Sequence, residues 1–170
     1  LGMGFTFDDE NPDATPLAEM ERLIAKDVRN KERIFPYIGG EEVNDSPTQA
    51  HRRYVINFGE MAEEEARRWP DLMAVLDIKV RPERAKLGDN GDAKRRKRLW
   101  WLWGRYTPAL FDTIRSLDRV LVIARVSETG AFTWALPDPV FSEQLVVFAL
   151  SSDAAFGIIQ SRAHDVWARL

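Results

Sequence analysis

The spacing of apolar residues divides the chain into helical and extended stretches. Leu17, Met20, Leu23, Ile24 and Val28 recur at three- and four-residue intervals, which places them on one face of a helix over residues 16–28. Thr15 ahead of Pro16 offers that helix a hydroxyl N-cap and a first position where proline's missing N–H costs nothing. Tyr54, Ile56 and Phe58 alternate with Val55 and Asn57, the period of a half-buried strand over 53–58. Residues 60–80 read as two helices, a charged one to Arg68 and, after the break at Trp69-Pro70, one that buries Leu72, Val75, Leu76 and Val80. Thr107-Pro108 repeats the cap-then-proline device for a helix over 108–117, with Leu110, Phe111, Ile114 and Leu117 inward.

Val120 to Val126 is near-continuously apolar, as a strand covered on both faces must be. Ser127–Gly130 is a turn, so 119–136 reads as a hairpin returning through Ala131–Leu136, and Leu145–Leu150 is a further buried strand. A final helix over 153–169, capped by Ser152 or Asp153, lines up Phe156, Ile159, Ala163, Val166, Trp167 and Leu170. Residues 1–13 have no regular period; 34–47, with two prolines and Gly39-Gly40, read as an ordered loop. Arg81–Lys97 holds Pro82, Gly88 and Gly91 among charges and reads as another loop, and Trp100–Trp103 as a short strand. The sum is an α+β fold: a mixed or largely antiparallel sheet flanked by helices, in a single domain.

Composition narrows what such a domain can be. A chain of 170 residues, 45% hydrophobic and 11% aromatic, has enough apolar surface for a folded core. With no cysteine and two histidines there is no disulfide framework, no thiolate metal site and no His-built one. No run approaches the roughly 18 apolar residues of a membrane helix, and LGMGFTFDDE lacks the basic flank of a signal peptide. We therefore expect a soluble, cytoplasmic chain with no membrane partner and no metal, and, because it begins at Leu1, one cut from something longer.

The net charge of −3 is unevenly spread. Between Lys79 and Tyr106 ten lysines and arginines face only Glu83, Asp89 and Asp92, a local excess of seven positive charges that leaves −10 elsewhere. Phosphate contact depends on the local face, so the acidic total does not oppose nucleic-acid binding. Five consecutive cations, Lys94, Arg95, Arg96, Lys97 and Arg98, lead straight into Trp100, Trp101 and Trp103, and Lys79, Arg81 and Arg84 approach from the other end of the same segment. Such a tract can also be a merely solvated loop; its direct connection to an aromatic core favours a polyanion-gripping face. The tryptophans read more readily as core than as base-stacking platforms.

No catalytic site is visible. Asp71 and Asp77-Ile78-Lys79 superficially match an acid-x-Lys nuclease signature, but they fall on a helix instead of adjoining strands. His164-Asp165 reads as helix surface, and Gly2-Met3-Gly4 has too few glycines for a nucleotide loop.

Six blocks then carry a resemblance: PYIGGEEVNDSP (36–47), RYVINF (53–58), WP followed by VRPER (69–84), LWWLWGRYTPALFDTI (99–114), RVLVIARVS (119–127) and FGIIQSRAHDVWA (156–168). In this order they resemble the target-recognition region of MmeI-like and related type II restriction-modification DNA methyltransferases, which modify adenine N6; the LGMGF start resembles the passage from catalytic to recognition domain.

The resemblance covers nearly the whole chain. It implies that residues 1–170 are a DNA target-recognition domain, a fragment whose catalytic domain is absent, with double-stranded DNA and an upstream methyltransferase domain of the same chain as partners. S-adenosylmethionine would belong to that parent and no cofactor to this fragment, since Asn11-Pro12-Asp13 is the nearest approach to the family's Asn-Pro-Pro-aromatic motif and fails it.

On this view Lys79, Arg81, Arg84 and Lys94–Arg98 neutralise phosphates. Base-reading candidates are Ser127, Glu128 and Thr129 at the hairpin tip, Arg105 and Arg125 nearby, and more weakly His51, Arg52 and Arg53. The cations flanking Gly88 are expected to share one concave wall with the tip at Glu128. Gln160-Ser161 and Trp167, which match the family's pattern, read as packing and helix-end chemistry. The alternatives are a single-stranded DNA or RNA binder and a protein-interaction domain.

Overall fold

The computed structural model describes residues 3–104, 107–127 and 129–168. Its elements are helices and two β-sheets, the expected α+β class. Two compact units emerge, one of residues 1–35 and 52–106, the other of residues 36–51 and 107–170.

The first unit starts with a 3-10 turn, Met3–Phe5, and strand β1, Thr6–Phe7. β1 pairs antiparallel with the strand Arg53–Ile56, Thr6 opposite Val55 and Phe7 opposite Tyr54. Helix α1, Leu17–Lys26, lacks the anticipated Thr15 cap. Thr15 is instead drawn into a bridge with Phe7, and Asp9 Oδ1 takes over the cap's work across eight residues by accepting from Leu17 N–H at 2.8 Å.

The predicted loop over 34–47 is a strand and a short helix: β2, Ile34–Ile38, which carries the chain from the first unit into the second, and α2, Gly40–Asp45. Glu42 reaches back to accept from Gly39 N–H at 2.8 Å, one half of a capping box that the glycine pair had hidden. Strand β3, Arg53–Ile56, follows.

Beyond β3 the charged helix shrinks to α3, Glu63–Ala66, and α4, Pro70–Lys79, buries Leu72, Met73 and Leu76. Gly4 lies so close to the end of α4 that a Cβ would come within 2.8 Å of Val80 Cγ2 and 3.1 Å of the Lys79 carbonyl carbon.

The largest correction concerns residues 81–97. They are mostly helical: α5, Arg81–Ala85, has Pro82 in its first turn, and α6, Gly91–Arg98, is capped by Asn90, whose Oδ1 accepts from Ala93 N–H at 2.8 Å. Apolar periodicity could not find α6, because Ala93 is its one buried residue; the cap and cations in the last turn, which oppose the negative end of the helix dipole, stabilise it. Trp100 and Trp101 lie in a turn and not in a strand, buried edge to face at 6.2 Å.

In the second unit β4, Val120–Ala124, is the middle strand of an antiparallel sheet, between β5, Thr133–Ala135, and the strand Leu145–Phe148. Between those two in sequence, the short strand β6, Val140–Phe141, pairs parallel with the end of β2, Tyr37 opposite Val140. Leu145–Phe148 is thus β7. β3 does not join the sheet of β4, contrary to the single sheet anticipated.

Helix α7, Pro108–Ile114, lays Leu110, Phe111 and Ile114 on Val120, Val122 and Ala135, as its stripe predicted. The last helix is two: α8, Asp153–Ile159, and α9, Arg162–Ala168. Ser152 Oγ caps α8 by accepting from Ala155 N–H, and Ser161 Oγ accepts from His164 N–H, each at 3.2 Å, so Gln160-Ser161 is the joint.

Candidate nucleic-acid interface

A helix sorts neighbouring residues onto different faces, and in α6 it sorts the five cations into two groups. Lys94, Arg95 and Arg98 are exposed, and Arg98, four residues from Lys94 and three from Arg95, neighbours both on one broad side of the helix. Among the described residues no carboxylate pairs with any of the three. Arg96 and Lys97 are half-buried and paired, Arg96 with Asp92 one turn earlier at 2.9 Å and Lys97 with Asp89 at 3.3 Å. The tract is therefore neither a uniform solvated run nor a fully neutralised one.

The cations from the other end of the segment are more deeply engaged. Lys79 donates from Nζ to the carbonyls of Ala14 at 2.7 Å and Asp13 at 3.3 Å. Arg81 pairs with Asp77 at 3.1 Å and lies 5.2 Å from the Trp100 ring. Arg84 is only 5% exposed; its Nη1 donates to Leu99 O at 2.9 Å and its guanidinium lies 5.0 Å from the ring of Phe5. Burial, with Arg96 beside it, lowers the Arg84 pKa to about 10 against the pull of Asp92, which leaves it a cation at neutral pH.

Arg84, Arg95 and Arg96 face a half-open cleft of about 280 Å³ in the first unit. Its walls are Gly59–Ala62 and, with Leu99, Trp101–Gly104, held together where Trp101 Nε1 donates to Met61 O at 2.9 Å. Gly59 adopts φ 62°, a conformation that glycine holds without strain, and turns the chain from β3 into that wall. None of the sequence patterns pointed to this cleft, because its walls come from segments some forty residues apart and Arg84 looked like one more loop cation.

The base-reading candidates divide between the units. Arg52 and Arg53 belong to the first unit, where Arg52 pairs with Glu10 at 2.6 Å and Arg53 is buried at the start of β3. In the second unit His51 is exposed, as are Arg125, Ser127 and Thr129. Arg125 leans on Glu143 O at 3.3 Å, and Ser127 Oγ accepts from Thr129 N–H at 3.3 Å. Arg105 and Glu128 lie outside the described residues.

Gln160 carries a role that packing arguments missed. From the end of α8 its Oε1 accepts from Phe132 N–H at 2.8 Å, and its Nε2 donates to Gly130 O at 3.4 Å, so one side chain holds the segment that leads from the tip into β5. His164 stacks beside Phe132 at 6.3 Å and Trp167 at 6.1 Å.

The acidic pair set aside above is used up structurally: Asp71 binds Lys26 and Asn30, Asp77 binds Arg67 and Arg81. Among the described residues no group of three His, Cys, Asp or Glu could hold a metal, and no helix is long and apolar enough to cross a membrane.

No protein-family model and no curated protein matches the sequence. Solved structures do share the fold. One is MmeI, a type IIL restriction-modification enzyme determined in complex with DNA, which matches with a TM-score of 0.70 at 17% identity. The match takes in 98% of this chain and 20% of that one, so the chain spans about a fifth of that enzyme's length. At this identity the likeness is one of fold.

Proposed function

We propose that this chain is the double-stranded DNA recognition module of a restriction-modification enzyme, and more narrowly of an S-adenosylmethionine-dependent adenine-N6 DNA methyltransferase. The observation that carries the reading is the unpaired stripe of Lys94, Arg95 and Arg98 on α6, in a fold that MmeI shares. A rigid row of exposed cations suits phosphates, whose neutralisation sets register without reading sequence. The exposed β4–β5 tip, with Arg125, Ser127 and Thr129 as candidates and Gln160 beneath it, presents the donors and acceptors that base edges require.

The cleft beside α6 is lined by Arg84, Arg95 and Arg96, whose guanidiniums would oppose a sulfonium cation there. In this reading S-adenosylmethionine and the methyl transfer belong to another domain of the parent, and the fragment selects the site.

The single-strand alternative wants stacking platforms, but Trp100 and Trp101 are buried. A competition titration decides: the chain is bound to labelled duplex and challenged with unlabelled duplex or single strand at several salt concentrations. Preference for duplex with a steep salt dependence is expected; preference for single strand with quenching of tryptophan emission refutes the proposal.

A further inference from the structure

Resting on that reading for its source of ligand, we propose that the cleft beside α6 is a built seat for one phosphate group, taken in between Arg84 and Arg96. The geometry carries it. Gly104 has no Cβ, and the place where one would stand is 3.5 Å from Arg84 Nη2 and 4.0 Å from Arg96 Nη1. Two guanidinium heads, one from α5 and one from α6, thus arrive at a single spot on the cleft wall.

Arg84 is not neutralised there, and Arg96 is only partly so. Arg84 has the Leu99 carbonyl and the face of Phe5, and among the described residues no carboxylate pairs with it. Arg96 Nε is buried and 2.9 Å from Asp92 Oδ2, yet out of line for a hydrogen bond, so its N–H is unsatisfied. A buried cation beside a second, partly paired one is costly unless a further anion joins them.

A phosphate answers this arrangement better than a carboxylate. Its oxygens spread tetrahedrally and can accept from two forks that approach from different elements, whereas the two oxygens of a carboxylate lie in one plane and match a single fork. Arg95 also lines the cleft, as does the acidic Glu60. The seat would fix one backbone phosphate of the duplex, while the stripe of Lys94, Arg95 and Arg98 meets the phosphates that follow.

Two sources of phosphate are separated by two arms, run on the 170-residue chain. In the first, inorganic phosphate is added at constant ionic strength with chloride as balance, and the arginine Nε–Hε resonances of Arg84 and Arg96 are followed by NMR. Both should shift saturably in the wild type and in Arg22→Gln, whose arginine is exposed and already paired with Glu19, and the response should vanish in Arg96→Gln. Arg84→Lys tests the fold as well as the site, so Arg96→Gln, at a half-buried position, carries the decision.

In the second arm single neutral methylphosphonate linkages are walked along a duplex. One position should weaken wild-type binding roughly tenfold or more and leave Arg96→Gln indifferent, as expected for loss of a charge-assisted contact. No saturable phosphate response and no coupled linkage, in a chain that still binds duplex, overturns the seat and leaves the DNA reading standing. Saturable phosphate binding without duplex binding upholds the seat and removes the duplex as its source.

Discussion

Replacing Lys94, Arg95 and Arg98 together by glutamine removes three exposed charges that no carboxylate among the described residues pairs, and changes little else. Glutamine is nearly as good a helix former, and loss of the cations in the last turn costs about 0.3–1 kcal/mol each against the helix dipole, which a thermal melt will register. If each cation neutralises one phosphate, the slope of log K against log salt becomes shallower by about 2.7, at roughly 0.9 per contact. Between 50 and 200 mM salt the wild type should then lose about 40-fold more affinity than the variant.

Filter binding of a fixed duplex across four salt concentrations measures this. The control is Arg22→Gln, Arg29→Gln and Arg115→Gln, an identical change in net charge at exposed residues already paired with Glu19, Asp27 and Asp112. Pairs of that kind offer little free charge, so the control slope should barely move. Equal flattening by both triples would mean that the duplex senses only overall charge, and the assignment of α6 as the interface would fall.

Three further outcomes are expected. Lys79→Gln should lower stability by about 1–3 kcal/mol in denaturant titrations, because the Ala14 and Asp13 carbonyls lose a charged donor, while the salt slope of duplex binding stays as it was. Gln160→Ala frees Phe132 N–H and Gly130 O, so hydrogen exchange should speed up at residues 129–132 with the rest of β4 and β5 unchanged; uniform exchange rates would deny the clamp. The Lys26 ammonium, chiefly through its hydrogen bond, holds the Asp71 carboxyl below its ordinary range, and Asn30 adds to this. A carboxyl depressed in the folded state stabilises above the ordinary carboxylate range and loses that contribution as pH falls through its lowered value. Asp71→Asn should therefore be less stable than wild type at neutral pH, and the gap should close in acid; a constant gap in melts from pH 7 to 2 would contradict the pairing.

Where apolar side chains set the period, the sequence was readable. α4, α7 and β4 follow from their buried residues because each must hide a stripe or both faces of a strand. Elements anchored by polar chemistry were missed. α2 rests on Glu42 reaching back to Gly39, and α6 on the Asn90 cap with one buried alanine, which no hydrophobic pattern records. Thr15 shows the opposite failure: its cap signal was sound locally, but pairing with Phe7 claimed the residue and Asp9 replaced it. At the site, the cationic tract itself was visible as composition. Which of its members are free was not, because that depends on Asp89 and Asp92 falling where the helix brings them round.

That α6 is a helix and not a mobile loop changes what its charges can do. Cations on a flexible loop must be ordered on binding, at about 1–2 kcal/mol of backbone entropy per residue; on α6 that ordering is already complete before the duplex arrives. The helix also sets a ruler. Lys94 and Arg98 are one turn apart, roughly 6 Å along the axis, close to the roughly 6.8 Å of axial rise over two phosphate steps of one DNA strand. Arg95 and Arg96, adjacent in sequence, are rotated by about 100° from each other, so Arg95 stands exposed where the stripe meets the cleft while Arg96 turns in to Asp92 and the cleft. A loop could supply the same total charge, but it could not hold a surface row and a half-buried guanidinium in fixed relation across a single peptide bond.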